Sequence, residues 1–98
     1  AILAEQGAVS EACARAMAEG VTASLDADFG LAVTGIAGPD GGTPAKPVGL
    51  VYLALCDRRA AVTVVKERKF TGTRALIKER TALAALELAC RYMMGSEL

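Results

Sequence analysis

Val33-Thr34-Gly35-Ile36-Ala37-Gly38-Pro39-Asp40-Gly41-Gly42-Thr43-Pro44-Ala45-Lys46-Pro47-Val48-Gly49 holds five glycines and all three prolines of the 98-residue chain. One apolar run leads into it and another leads out. Glycine permits positive φ and lets a ligand approach the main chain closely. Proline fixes φ and stiffens the turns it enters. Together they describe a loop that is bent and held, unlike a Gly/Ser linker. The flanking runs, Phe29 to Val33 and Val48 to Cys56, are apolar throughout and read as strands covered on both faces, the second of them central. A loop leaving such a strand is where α/β proteins place ligands. The stretch therefore reads as a binding loop in an α/β fold.

Working outward, Ser10 to about Leu25 has helical spacing. Cys13, Met17 and Val21 recur every four residues with Ala14 and Leu25 on the same side, while Glu11, Arg15 and Glu19 turn away. Ser10 suits the N-cap and Glu11 the positive end of the helix. Gly20 inside the pattern costs about 1 kcal/mol relative to alanine, which points to close packing there. Downstream, Asp57-Arg58-Arg59 reads as a solvated turn into a third strand, Ala60 to Phe70. Val62, Val64 and Phe70 are expected on one face of that strand, with Thr63, Lys66 and Arg68 on a wetter one, as an edge requires. Lys66-Glu67-Arg68-Lys69 reads as that edge's defence against pairing. Thr73 can cap a last helix reaching about Met94, with Leu76, Leu83, Leu86 and Cys90 as its apolar stripe, widened by Ile77, Ala84 and Leu88. Gly95 is its stop. The expectation is one domain over residues 1–98, an α-β-α layered arrangement with a mixed sheet of at least three strands. The second and third strands should pair antiparallel, and the loop length leaves the direction of the first strand open.

Composition narrows the chemistry. Eleven basic and eleven acidic residues cancel, so charge supplies no argument for nucleic acid or an acidic membrane. No apolar run approaches the ~18 residues that span a bilayer, and a cytoplasmic location is expected. The chain has no histidine, which removes Ser-His, Cys-His and His-metal mechanisms confined to it. Cys13, Cys56 and Cys90 are far apart and set among apolar neighbours, so they read as buried reduced thiols. Neither a metal nor a redox cofactor is implied.

Thr34-Gly35-Ile36-Ala37-Gly38-Pro39, then Gly41-Gly42-Thr43 and Lys46-Pro47-Val48-Gly49, closely resembles the signature of the CinA C-terminal domain family. Gly7-Ala8-Val9-Ser10 leading into Ala16-Met17-Ala18 resembles the family's helix before the strand. Phe70-Thr71-Gly72-Thr73-Arg74 with Arg80 resembles its F-x-G-x-R entry to the last helix. So long and irregular a Gly/Pro string is a far stronger signal than a lone G-x-G-x-x-G. Members of the family are nicotinamide-nucleotide amidases, which convert nicotinamide mononucleotide to nicotinate mononucleotide and ammonia.

The resemblance implies a serine nucleophile, assisted by lysine and tyrosine, in a segment ahead of the helix that starts at Ser10. Its Glu-Ser-Cys-Thr-Gly-Gly-like and Tyr-Ser-Asn-like stretches do not occur in this sequence. No catalytic residue is assigned here, and this chain is expected to supply the substrate-binding part. By the family pattern that part is Thr34, the backbone of Gly35, Ile36, Ala37 and Gly38, and Arg74, with Lys46 the next cation for a phosphate. Each position also has a simpler reading. Thr34 could be a strand-end residue bonded to backbone, Gly35 to Gly38 a turn, Lys46 a solvated charge, and Arg74 a partner for a nearby carbonyl or acid. Tyr52 reads as a core residue with its hydroxyl reaching out. Expected partners are a small-molecule nucleotide and further copies of the chain, without nucleic acid or membrane. The alternative function is a non-catalytic nucleotide-binding or assembly module.

Overall fold

The computed structural model describes residues 9–35 and 49–95. In it Ser10 opens helix α1 (Glu11–Ser24) by accepting a hydrogen bond from the Cys13 amide at 3.1 Å. That satisfies one of the amides a helix start leaves unpaired. The face α1 buries is Cys13, Ala14, Ala18 and Thr22. The expected stripe through Met17, Val21 and Leu25 is instead exposed, at 44%, 40% and 72%. Alanines let the helix axis approach the sheet, and the larger side chains would hold it off. Close packing is not at Gly20, where an added Cβ would meet nothing within 4 Å. It is at Gly30, where a Cβ would overlap Thr22 Oγ1 and stand 3.0 Å from the Ala18 carbonyl oxygen.

Three strands follow, β1 (Phe29–Gly35), β2 (Leu50–Asp57) and β3 (Val62–Lys69), in the order β1-β2-β3. Both pairings are antiparallel, with Phe29 opposite Asp57, Gly35 opposite Val51 and Leu50 opposite Lys69. The mixed sheet expected from the sequence is therefore not seen among the described strands. β1 is also not covered on both faces: it is an outer strand of the described sheet, with Leu31 and Val33 each 37% exposed.

β2 is the midplane. Side chains alternate across a strand, so Tyr52, Ala54 and Cys56 meet Ala14, Ala18 and Ala32 on the α1 side. Val51, Leu53 and Leu55 meet Ala85 and Leu88 of the second helix, α2 (Arg74–Met93), on the other. The α-β-α layering follows directly from that alternation. Lys66 lies opposite Leu53 and Arg68 opposite Val51, so both share the α2 side with Val64 and Phe70 rather than occupying a wetter face of their own.

Thr73 caps α2 by accepting from the Leu76 amide, and Gly95 follows the helix with φ of +72°, the left-handed stop expected of it. The buried side of α2 is Ile77, Ala85 and Leu88, bordered by Thr81, Ala84 and Tyr92. Leu76, Leu83 and Leu86 point away, at 41%, 60% and 61% exposure, and Cys90 is exposed with them. The leucines at the centre of the expected stripe are thus outward, while Ile77, Ala84 and Leu88, expected to widen it, are the part that meets the sheet or borders it, and only Cys13 and Cys56 are buried thiols. Helical periodicity marks both stripes. Which of them meets the sheet is decided by how Ala84 and Ala85 fit against the large aliphatics of β2.

Candidate functional site

One end of the sheet gathers the anchors of the Gly/Pro stretch and the start of α2. β1 ends there at Gly35, the chain re-enters through Gly49 into β2, and β3 hands over to α2 through Gly72 and Thr73. Gly49 has φ of +94°, and its carbonyl accepts from the Phe70 amide at 2.9 Å. A Cβ on Gly49 would overlap the Phe70 carbonyl oxygen, so both conformation and contact require glycine. At Gly35 a Cβ would lie 2.9 Å from the Leu50 carbonyl oxygen and from Val51 Cγ2. That crowding is a demand of the strand pair itself, independent of any ligand.

Between the end of β1 and the first half of α2 lies an open cavity of about 340 Å³, lined by Val33, Gly35, Val51, Ile77, Lys78 and Thr81 among others. Its walls are mostly aliphatic, and Lys78 brings a cation to the rim. Gly35 therefore belongs to the cavity. Thr34 does not line it: it is opposite Tyr52, whose ring packs with the α1-side cluster, so alternation carries Thr34 to the other face. Arg74 is the exposed first residue of α2, one turn before Ile77 and Lys78. The Leu76 amide of that turn is taken by Thr73 Oγ1 at 3.2 Å. Ile36, Ala37, Gly38 and Lys46 lie outside the described residues. Lys78, which lines the cavity, was missed by sequence reasoning; its adjacency to Ile77, one turn past Arg74, is the signal that could have found it.

On the opposite flank of α2 a cavity of about 290 Å³ is lined by Lys66, Arg68, Arg80, Arg91 and Glu87 around an apolar floor that includes Leu53 and Phe70. Arg80 donates to the Thr71 carbonyl at 2.7 Å, and Arg91 Nε lies 3.2 Å from Glu87. The cationic run of β3 thus contributes to a concave surface as well as an edge.

The far end of the sheet is a clasp. Tyr92 Oη donates to Asp57 Oδ2 at 2.6 Å, and its ring meets Phe29 edge-on at 6.3 Å. The Arg59 guanidinium stands over Phe29 at 5.0 Å, and Arg58 pairs with Asp26 at 2.6 Å. The arginines expected to be a solvated turn are exposed but engaged. The Tyr92 hydrogen bond holds the Asp57 carboxyl below its ordinary 3.8, helped by the Ala60 amide and the Arg59 charge against the effect of burial. The same bond, with burial second, raises the Tyr92 phenol above 10.0. Tyr52 is raised too, first by burial and then by Glu67, to which its hydroxyl donates at 3.4 Å. Fastened there, α2 presents its N-terminus at the loop end. Among the described residues no cluster of three or more His, Cys, Asp or Glu side chains could hold a metal, and no helix is long and apolar enough to cross a membrane.

An α/β layered domain with a Gly/Pro segment leaving one end of its sheet can be compared directly with known families. The family model of the CinA C-terminal domain matches residues 1–93, and the chain belongs to that family. It is 51% identical over 96 residues to a CinA-like protein of Syntrophotalea carbinolica, covering 94% of this chain and 22% of that protein. To a CinA-like protein of Geobacter sulfurreducens it is 53% identical over 94 residues, covering 96% and 22%. The chain thus spans about a fifth of the length of these relatives. Among solved structures, competence damage-inducible protein A of Klebsiella pneumoniae superposes with a TM-score of 0.88 at 34% identity, over 95% of this chain and 56% of that one. The competence/damage inducible protein CihA of Agrobacterium tumefaciens does so with 0.87 at 41% identity, over 91% and 54%.

Proposed function

We propose that this chain is the substrate-binding part of a nicotinamide-nucleotide amidase domain, which hydrolyses the carboxamide of nicotinamide mononucleotide to nicotinate mononucleotide and ammonia. The observation that carries the reading is convergence: Gly35, Gly49 and the N-terminus of α2 with Arg74 meet at one end of the sheet. A helix start is partly positive, and a guanidinium beside it adds a fork of donors matched to phosphate oxygens. The aliphatic cavity beside Gly35 supplies room for an apolar ring face. In the reaction a serine from outside these 98 residues attacks the carboxamide carbon and lysine manages the proton. Ammonia leaves, water releases the acid, and backbone amides stabilise the tetrahedral oxyanion.

The test is a replacement. This chain is exchanged for the matching segment of a family member that releases ammonia from nicotinamide mononucleotide. Retained turnover supports the reading, whereas nucleotide binding without turnover favours a non-catalytic module. The 98 residues alone should release no ammonia. In the active chimera Arg74→Ala should weaken mononucleotide binding by roughly 1.5–3 kcal/mol, the range for a hydrogen bond to a charged group. Nicotinamide riboside, which lacks the phosphate, should bind almost as before. Equal losses for both ligands would move Arg74 to the pyridine end or the scaffold and pass the phosphate to another cation.

A further inference from the structure

We infer that Lys78 is the second cation of the phosphate subsite, and that with Arg74 it selects a phosphate monoester, a dianion, over a singly charged or neutral group. The inference rests on the nucleotide reading above and adds a specificity-determining residue to it. Arg74 and Lys78 are four residues apart in α2, so they are neighbours on one flank of the helix, one turn apart. Lys78 lines the cavity beside Gly35 together with Val33, Val51 and Ile77. Arg74 stands one turn closer to the helix start. The other two cations of α2, Arg80 and Arg91, line the cavity on the opposite flank. Helical spacing thus sorts the four cations into two pairs, and the pair at the loop end is Arg74 with Lys78.

The surroundings of Lys78 favour an anion. Among the described residues that line this cavity, Lys78 carries the one charge, and no carboxylate stands with it. Thr81, also in the wall, has its hydroxyl turned back to donate to the Ile77 carbonyl at 2.6 Å. Aliphatic walls lower the local dielectric and lengthen the reach of the single ammonium. The opposite flank differs: there Arg91 pairs with Glu87 and Arg80 donates to the Thr71 carbonyl. A phosphate monoester carries about −1.5 to −2 at neutral pH. A phosphodiester carries one charge and a nucleoside none. One guanidinium answers one charge, which leaves a monoester in need of a second cation. A lysine suits that place, because its compact ammonium on a flexible stem can meet the oxygen that the arginine fork leaves uncovered.

Titration calorimetry on the chimera described above tests this with three ligands that differ in charge at the phosphate. They are nicotinate mononucleotide, its phosphate methyl ester and nicotinate riboside, acids chosen so that no turnover disturbs the measurement. Lys78→Gln should weaken the mononucleotide about tenfold and the methyl ester about threefold, since Coulomb attraction scales with ligand charge. The riboside should bind as before. Lys78→Arg, which keeps the charge, should restore most of the loss. Lys78 is exposed, so neither change touches the core, and an unchanged circular-dichroism spectrum checks it. No loss on Lys78→Gln, or equal losses for all three ligands, overturns the inference and leaves the nucleotide reading standing. Failure of the unsubstituted chimera to bind any of the three overturns both.

Discussion

Gly20, Gly30 and Gly49 look alike in the sequence and stand in three different physical situations. Gly20 is exposed within α1 with open space at its Cβ position. Gly20→Ala should raise stability by about 1 kcal/mol, the helix-propensity difference. Gly49 combines a left-handed φ with contact to Phe70, and Gly49→Ala should lower stability by about 1–3 kcal/mol. Gly30→Ala forces a methyl against Thr22 and should cost about 1–3 kcal/mol by overpacking. Thr22→Ala should return part of that loss, because it removes the overlapping hydroxyl, which otherwise donates to the Ala18 carbonyl at 2.6 Å. Urea unfolding of the four single variants and the Gly30/Thr22 double variant checks all of this. A Gly30→Ala loss that Thr22→Ala leaves untouched would place the strain elsewhere. Gly20 and Gly30 also show where residue-level reading ends. A glycine signals that something is close or bent, and only the partner element says which.

At the scale of elements, the Asp57–Tyr92 hydrogen bond ties the end of β2 to the last turn of α2, and its pH dependence has a definite sign. Asp57 is held below 3.8 in the fold. Its contribution is therefore full above the ordinary carboxylate value, and it fades as pH falls through that value toward the depressed one. Tyr92 is raised above 10.0, so the phenol's contribution is full below that value and is lost as pH rises through the raised one. Tyr92→Phe should lower the melting temperature at neutral pH and flatten the decline at both extremes. Thermal unfolding from acid to alkaline buffer measures it; a mutant curve parallel to wild type would detach the bond from stability. Nothing in the sequence joined Asp57 to Tyr92, which are 35 residues apart. The caps at Ser10 and Thr73, the strand order of types and the stop at Gly95 were legible because each rests on local chemistry. The sides of α1 and α2 that meet the sheet were not, since period names a stripe and tertiary fit selects it. Similarly, β1 reads as fully covered because its residues are apolar, and apolarity states only what burial would favour.

For the molecule as a whole, the order of protection should follow the layering. Amides of β2, paired on both sides and covered on both faces, should exchange last. The amides of β1 that point away from β2 should exchange early. Hydrogen exchange read by NMR would show it, and uniform protection across β1 would mean that its outer edge is covered in solution. Of the candidate site, Ile36, Ala37, Gly38 and Lys46 lie outside the described residues; the helix start after Thr73 was legible from sequence, whereas the cavity beside Gly35 was not. It exists because β1 and α2 come together across a gap that no sequence neighbour reveals. The two faces of β2 also differ in kind. Toward α2 it presents Val51, Leu53 and Leu55, where mutation can remove atoms and leave holes. Toward α1 the buried cluster is Ala14, Ala18, Ala32, Ala54 and Cys56, and nearly every substitution there must add them. Drift in this protein is thus asymmetric: one half of its interior can be worn away a methyl at a time, while the other admits almost no newcomer without prising the helix from the sheet.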